Sequence, residues 1–525
     1  MPRKTGYFWL AALLSGWAVD FLFWGKTPGI SVLLWVGWVL ALGLTLGYVE
    51  GIRPSKVNFL AVALAILAGA VPFLRREPFT LFVACLLAFC LLCLLAFSFR
   101  NGYWVFYRIW DYLVATLRLI GEWFTGGLRL KRSPVAESDG AKPAGKKGAN
   151  TVLLVLLGIL LALPILGIFG ALLSAADPIF GARLADFLAI FNIENLPEYL
   201  FRLAYILVLM YFIAGSFVHA FYNRHDEIPD PARNGFKPFM SWIPAAVILF
   251  LVDLLFVAFV VVQFTYFFGA HSNITTEGYT YAEYARRGFF ELVSVAVISL
   301  ILVFGLGAIT QRKTRSQQNI LAALNLVLIC LVLVMLLSSW QRLNLYEEAY
   351  GYSRLRAYTT IFIPWLGALL VAAGVLDVMG KMRWFGLSLV IVIVGFSLSL
   401  PILNIDKFIA SRNIDRAVSG EEFDAAYLAT LSSDAVPTMF EGYYTADLDP
   451  VDKAKLGASL ACMSQRLLQS QEQPWQSYNL PDATASALYI ANQAMLEKYP
   501  LTMKDGFWQV DAGEIQFSCN SVYLD

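Results

Sequence analysis

Charge and histidine are scarce in this chain. Only 15% of its 525 residues are charged and three are histidine, whereas 58% are hydrophobic. An ordinary soluble domain is about one quarter charged and less than half apolar, so the composition excludes a water-soluble globule. His219, His225 and His271 lack the close spacing of a zinc site. Nucleotide-binding signatures are missing too. GAKPAGKK, residues 140–147, reaches the lysine of a phosphate loop, but Lys147 stands where the magnesium-holding Ser or Thr belongs and no strand precedes it. Asp447, Asp449 and Asp452 fail as a calcium loop, because Val451 takes a ligand position and the turn glycine is absent. No cofactor or metal is expected. Of six cysteines, Cys85, Cys90, Cys93 and Cys330 lie in apolar runs as packing residues. Cys462 and Cys519 lie in the tail and could pair in an oxidising compartment, though spacing alone leaves open whether the sulfurs meet.

Long apolar runs are abundant. A hydrocarbon core of ~30 Å needs about 20 apolar residues per helix. On that rule the fold class is an all-α polytopic membrane protein with roughly eleven spans, near residues 8–24, 30–49, 57–74, 79–98, 151–175, 199–222, 241–268, 289–310, 318–340, 358–379 and 384–402. The basic, apolar N-terminus lacks a small-residue cleavage site and reads as an uncleaved first span. With that terminus cytoplasmic, the inner segments hold 21 of the 39 Lys and Arg residues, which the positive-inside rule favours. An odd span number then places the tail outside, and Arg75 with Arg76 becomes the exception, a basic pair on the outer side.

Four regions follow. Residues 1–98 form a first block of about four helices, and residues 151–402 a second of about seven. Between them, residues 99–150 begin with an amphipathic interfacial helix bearing Arg108, Asp111, Arg118 and Glu122 on one side and anchored by Trp110 and Trp123. That region ends in a basic, Pro- and Gly-rich linker able to touch anionic lipid. Residues 403–525 form a small, mostly helical soluble domain carrying 8 basic and 17 acidic side chains. Such an acidic tail excludes nucleic acid as its partner. Within it, Phe423, Tyr427 and Leu431 mark one helix, Asp449 and Pro450 open a second, a third fits residues 482–498, and the end reads as a hairpin around an Asp-Ala-Gly turn.

Asp253 is the deepest intramembrane charge, near the middle of an apolar run of roughly 27 residues, where insertion of a carboxylate costs at least ~2.5–3.5 kcal/mol. It is either a protonatable or cation-binding group or a carboxyl hydrogen-bonded to a neighbouring helix. Asp20 and Asp377 lie nearer span ends. Gly43 and Gly47, four apart, permit close helix packing. Two outer loops share one idiom: Tyr281, Glu283, Arg286 and Arg287 in the first parallel Tyr346, Glu348, Arg354 and Arg356 in the second. These side chains are either interfacial tyrosines with local ion pairs or a surface whose arginines meet an anionic ligand or the acidic tail. Asn273 and Thr275 form a glycosylation sequon only in a host with that machinery.

The phrases YTYAEYARRGFFELV, LYEEAYGYSRLRAYT, NIDKFIASRNIDRA and YLATLSSDAVP, spread over residues 240–480, resemble a bacterial multi-pass membrane family of unknown function, the four-one-seven-three group. The resemblance implies a bacterial inner (cytoplasmic) membrane protein and supplies no activity. The expected function is transport or an envelope-associated role, with the lipid bilayer and a periplasmic protein or anionic ligand as partners. Asp253 would couple to a cation, and the outer loops with the periplasmic tail would form a binding surface. Alternatives are a glycosyltransferase-like enzyme using a lipid-linked substrate with Asp20 as general base, and an envelope scaffold or sensor acting through its tail.

Overall fold

The computed structural model describes residues 5–131, 196–222, 238–268, 289–468, 473–504, 507–512 and 515–519, with scattered positions between 162 and 184. The basic linker, the run at 140–147 and most of the span expected near 151–175 lie outside the described residues. Among those described, nine helices are long and apolar enough to cross a bilayer. They are α1 (Thr5–Phe23), α2 (Ile30–Glu50), α4 (Pro78–Ser98), α6 (Leu196–Tyr222), α7 (Trp242–Phe268), α8 (Phe289–Ile309), α9 (Arg315–Tyr350), α10 (Arg354–Val378) and α11 (Phe385–Leu403). Between α2 and α4 runs α3 (Asn58–Leu74), also apolar but shorter at 17 residues.

Helix ends are set by local chemistry. The Glu77 carboxylate accepts from the Phe79 and Thr80 amides at 2.9 and 2.7 Å and Pro78 occupies the first helical position, which starts α4. Thr314 and Gln317 form a capping box before α9. Gly351, at φ 79°, ends α9 in a backbone conformation that side chains with a Cβ rarely adopt.

The helices α1–α4 and α6 form one group and α7–α11 a second, joined where Val394 and Leu387 of α11 pack against clusters that include Leu87, Leu91 and Leu94 of α4. Helix α5 (Ile109–Lys131) is amphipathic, as its pattern predicts; Leu119 and Leu130 are buried against protein, while Trp110, Leu113, Leu117 and Phe124 are exposed. Gly126 abuts Gly215 of α6 so closely that a Cβ on either would collide with backbone. Trp123 donates its indole N–H to Ser216 Oγ at 2.8 Å, so it is a contact to α6 rather than the lipid anchor expected of it.

After α11 the chain turns at Asn404, whose φ is 51°, directly into α12 (Ile405–Val418). Short helices α13 (Ala425–Ala429) and α14 (Val436–Thr445) lead to α15 (Pro450–Leu468), α16 (Leu480–Ala491) and α17 (Gln493–Leu496). Asp449 caps α15 through the Asp452 amide at 2.7 Å. The expected third helix breaks at Asn492, and the helix around Tyr427 spans only five residues. Strands β1 (Leu501–Lys504), β2 (Phe507–Ala512) and β3 (Ile515–Ser518) form an antiparallel sheet in that order, pairing Leu501 with Val510 and Val510 with Phe517. The sheet therefore holds one strand beyond the expected hairpin. A disulfide joins Cys462 of α15 to Cys519 just past β3, across 57 residues. In the chain-entropy view a crosslink of that span is worth about 4 kcal/mol.

The core of this tail is continuous with the membrane part. Ala357 of α10 and Leu400 of α11 belong to the same buried cluster as Ile409, Leu428, Met439 and Leu460. The tail is thus seated on the ends of α10 and α11.

Candidate functional site

The turn between α3 and α4, LRREPF at residues 74–79, is where three membrane segments and the tail converge. Arg75 Nε donates to the Pro401 carbonyl of α11 at 2.7 Å. Glu77, only 2% exposed, caps α4 and also accepts from the Tyr358 hydroxyl of α10. The Arg76 and Glu77 amides both donate to Asp434 Oδ2, at 2.5 and 3.1 Å. The Arg76 guanidinium reaches Asp482 Oδ2 at 3.1 Å, and Asp482 further accepts from Ser433 Oγ at 2.6 Å and Asn479 Nδ2 at 2.8 Å. The basic pair that stood as the exception to the charge rule therefore lies on the tail's side of the protein, where tail carboxylates and a carbonyl of α11 engage it.

A second clamp lies beside the first. Arg354, the first residue of α10, forms a two-pronged pair with Asp406 of α12, Nε to Oδ1 at 2.8 Å and Nη2 to Oδ2 at 2.7 Å. Asp406 is fully buried and takes a third bond from the Ser432 amide at 2.6 Å. Arg354 Nη2 also donates to the Thr430 carbonyl at 3.2 Å, and its own amide to the Tyr427 hydroxyl at 2.7 Å.

These clamps frame a cavity of about 450 Å³. Among the described residues its wall includes Arg76, Arg354 and Arg466 and, of the acids, Asp482 alone. Thr27, Ser432 and Ser433 add hydroxyls. Asp406 and Asp434 are not part of the wall and accept the bonds given above. Arg466 differs from the other two arginines: it is exposed where they are half-buried, and it donates only to the backbone carbonyls of Ala429 and Leu431, with no carboxylate partner among the described residues. Desolvation in this setting holds its pKa below the usual arginine value; the nearby Arg354 charge acts in the same direction, while Tyr489 and the Asp406 carboxylate oppose it.

The segment at residues 342–360 is not the loop expected. Helix α9 continues to Tyr350 and α10 begins at Arg354, leaving three residues between them. Asn413 holds that turn by accepting from the Tyr352 amide and donating to the Tyr352 carbonyl, each at 2.9 Å. Arg356 donates to the Gly351 carbonyl at 2.5 Å and lies over the Tyr346 ring, 4.1 Å from its centre. Arg416 donates to the Glu348 and Ala349 carbonyls, so two cations serve the open end of α9. Glu348 itself is exposed. Of the second-loop residues, only Arg354 reaches the cavity. Tyr281, Glu283, Arg286 and Arg287 lie outside the described residues, as do Asn273 and Thr275.

Asp253 sits on the face of α7 that carries Leu249 and Val260, 5% exposed, and neither carboxylate oxygen has a hydrogen-bond partner among the described residues. Asp20 is the opposite case. Arg202 of α6 grips it through Nε at 2.8 Å and Nη2 at 2.5 Å, and Tyr205 donates to it as well. Asp377 pairs with Arg312 at 3.1 Å and accepts from Asn325 at 2.7 Å. Of the histidines, His219 is buried in α6 while His225 and His271 lie outside the described residues. No metal-holding cluster occurs among the described residues.

Several residues of the site escaped the sequence reading: Glu77, Tyr358, Asp406, Asp434, Arg466 and Asp482. Two signals pointed toward it. Arg75 and Arg76 broke the charge rule, and the NIDKF phrase carrying Asp406 stands directly after the last span.

Helices of this length and apolarity, threaded repeatedly through one bundle, define a multi-pass α-helical membrane protein. Residues 62–442 match the family described as Domain of unknown function (DUF4153), and the chain belongs to it. The group number given above for the resemblance is corrected accordingly: the family is DUF4153, not the four-one-seven-three group. Arg76, Arg354, Asp406 and Asp434 fall inside the matched range, whereas Arg466 and Asp482 follow it. No curated protein and no solved structure matches the chain.

Burial pushes the Asp434 carboxyl up to about 6; the nearby Asp406 adds to the rise, while the Arg76 amide, the Arg75 charge and the Ser432 hydroxyl oppose it. The folded state therefore holds this proton more tightly than the unfolded chain. Its stabilising contribution is fully present below the unfolded value near 3.8 and is lost as pH rises through about 6. Thermal unfolding of the full-length protein in detergent should accordingly show a component that strengthens as pH falls from 7 toward 5. Asp434→Asn keeps the acceptor oxygen and should flatten that component; an unchanged pH profile in the variant would contradict the assignment.

Proposed function

We propose that this protein is a receptor for an anionic group presented at the tail-side surface of a bacterial inner membrane. The observation that carries the reading is Arg466, a guanidinium on the wall of a 450 Å³ cavity that forms no ion pair with a carboxylate among the described residues. A volume of this size suits a small-molecule site, for which ~300–1,000 Å³ is typical. Arginine presents a planar fork of donors that matches phosphate and carboxylate geometry. Arg76 and Arg354 are already balanced by Asp482 and Asp406, so an anion at Arg466 would complete the charge pairing of the cavity.

The orientation that fits this reading puts the N-terminus in the cytoplasm and the tail in the periplasm. The basic majority of the inner segments supports it, and the tail-side position of Arg75 and Arg76 has its own cause in their bonds to Pro401, Asp434 and Asp482. A binding role is favoured over the glycosyltransferase alternative because Asp20, its candidate base, is already saturated by Arg202 and Tyr205.

The reading is tested by titrating the purified full-length chain with glycerol 3-phosphate and with dihexanoyl phosphatidic acid. At least one should bind, and Arg466→Gln should weaken that binding about tenfold or more, the scale of one hydrogen bond to a charged group. Arg466→Lys should retain part of it. Absence of binding by either probe, or binding indifferent to Arg466→Gln, would overturn the reading.

A second reading concerns transport and rests on Asp253. Its two carboxylate oxygens are buried with no hydrogen-bond partner among the described residues, an arrangement suited to loading and releasing a proton or cation. In proteoliposomes, wild type should dissipate a proton gradient and Asp253→Asn should not. Equal leakage from both, or none from either, removes transport through Asp253.

A further inference from the structure

We infer that the ligand of the Arg466 cavity is a phosphate-bearing lipid rather than a water-soluble anion, an inference that rests on the anion-receptor reading above. The cavity lining is mixed. Beside the three arginines it includes Pro78, Leu81, Leu431, Met463 and Leu467. Pro78 and Leu81 belong to the first turn of α4, a membrane span, so the apolar part of the lining is built partly from the span itself.

The depth of the cavity relative to the bilayer is marked independently. The tail segment before α16 lies against the start of α2: the Ile30 amide donates to the Tyr478 carbonyl at 2.9 Å, and Gly29 has no room for a Cβ against Ser477. Trp475 and Tyr478, 56% and 48% exposed, approach Phe21 and Phe73 at ring distances of 6.2 and 6.0 Å. Exposed Trp and Tyr rings beside span ends are the mark of the headgroup layer. The same short stretch reaches the cavity rim, where Thr27 donates to Gln473 at 2.5 Å and Thr27 and Pro28 line the wall. The Arg466 guanidinium thus belongs to a cavity at headgroup level whose apolar lining is partly that of a span. An acyl-bearing phosphate satisfies both kinds of lining at once, whereas a soluble phosphate leaves the apolar lining uncovered.

The experiment compares dihexanoyl phosphatidic acid, glycerol 3-phosphate and dihexanoyl phosphatidylcholine as ligands of the full-length protein in nonionic detergent. The phosphatidic acid should bind at least about tenfold more tightly than either other probe. Leu81→Ser should remove about tenfold of the phosphatidic acid affinity, the scale of one leucine side chain withdrawn from apolar contact, and leave glycerol 3-phosphate unchanged. Leu467→Ser serves as the second variant, and thermal unfolding of both checks that they fold. Equal, Arg466-dependent binding of glycerol 3-phosphate and phosphatidic acid would overturn the lipid assignment and leave the receptor reading standing. Equal binding of phosphatidylcholine, or insensitivity to both leucine variants, would overturn it as mere chain partitioning. Failure of both phosphates to bind removes both claims.

Discussion

The pair between Arg354 and Asp406 is the constraint on which the tail-side half of the molecule depends. One partner begins a membrane helix and the other lies in the first turn of the tail. Asp406 is fully buried, where an ionised carboxylate without a partner would cost several kcal/mol. Arg354 meets it with two parallel donors, and the Ser432 amide takes part of the remaining acceptor capacity. Taking these charges out of water is costly, so the pair need not add net stability. Its consequence is specificity of placement: any arrangement that separates α10 from α12 leaves a buried charge exposed to an apolar surrounding.

The other features of the site follow from that placement. With α12 held against α10, the turn carrying Ser432 and Asp434 comes over the α3–α4 corner, and the two amides after Arg75 find Asp434. Arg76 then meets Asp482 of α16. A tail with more acidic than basic residues is what this geometry requires, because its carboxylates neutralise arginines at the ends of the membrane helices. Arg466, in α15, is the cation on the cavity wall that this internal pairing leaves over, and it is the reason to assign the cavity a ligand.

Much of the architecture was legible from hydropathy alone. Apolar runs near 20 residues mark helices in lipid because every backbone group must be bonded within the segment, and local rules placed the cap at Asp449 and the antiparallel pair β2 and β3 at the C-terminal end. The Arg/Tyr segment was misread for a physical reason. Polarity after an apolar run suggests a loop, but here it marks a span continuing beyond the membrane, with Arg356 and Arg416 serving its last carbonyls. The site was poorly legible because its contacts join distant positions. Arg76 and Asp434 are 358 residues apart, and Asp20 and Arg202 are 182 apart. Periodicity and spacing carry no information about such pairs. Arg75 and Arg76 announced the site only as a violation of the charge rule.

The central claim is that one buried ion pair seats the tail on the membrane helices, and a double-mutant cycle over Arg354→Gln and Asp406→Asn, read by thermal unfolding of the full-length protein in detergent, tests it most directly. The account predicts that each single variant costs about 3–5 kcal/mol, because it strands the other charge, and that the double variant, which strands none, costs less than either alone. Strictly additive costs, or single variants that each lose less than about 1 kcal/mol as an exposed pair would, would contradict it.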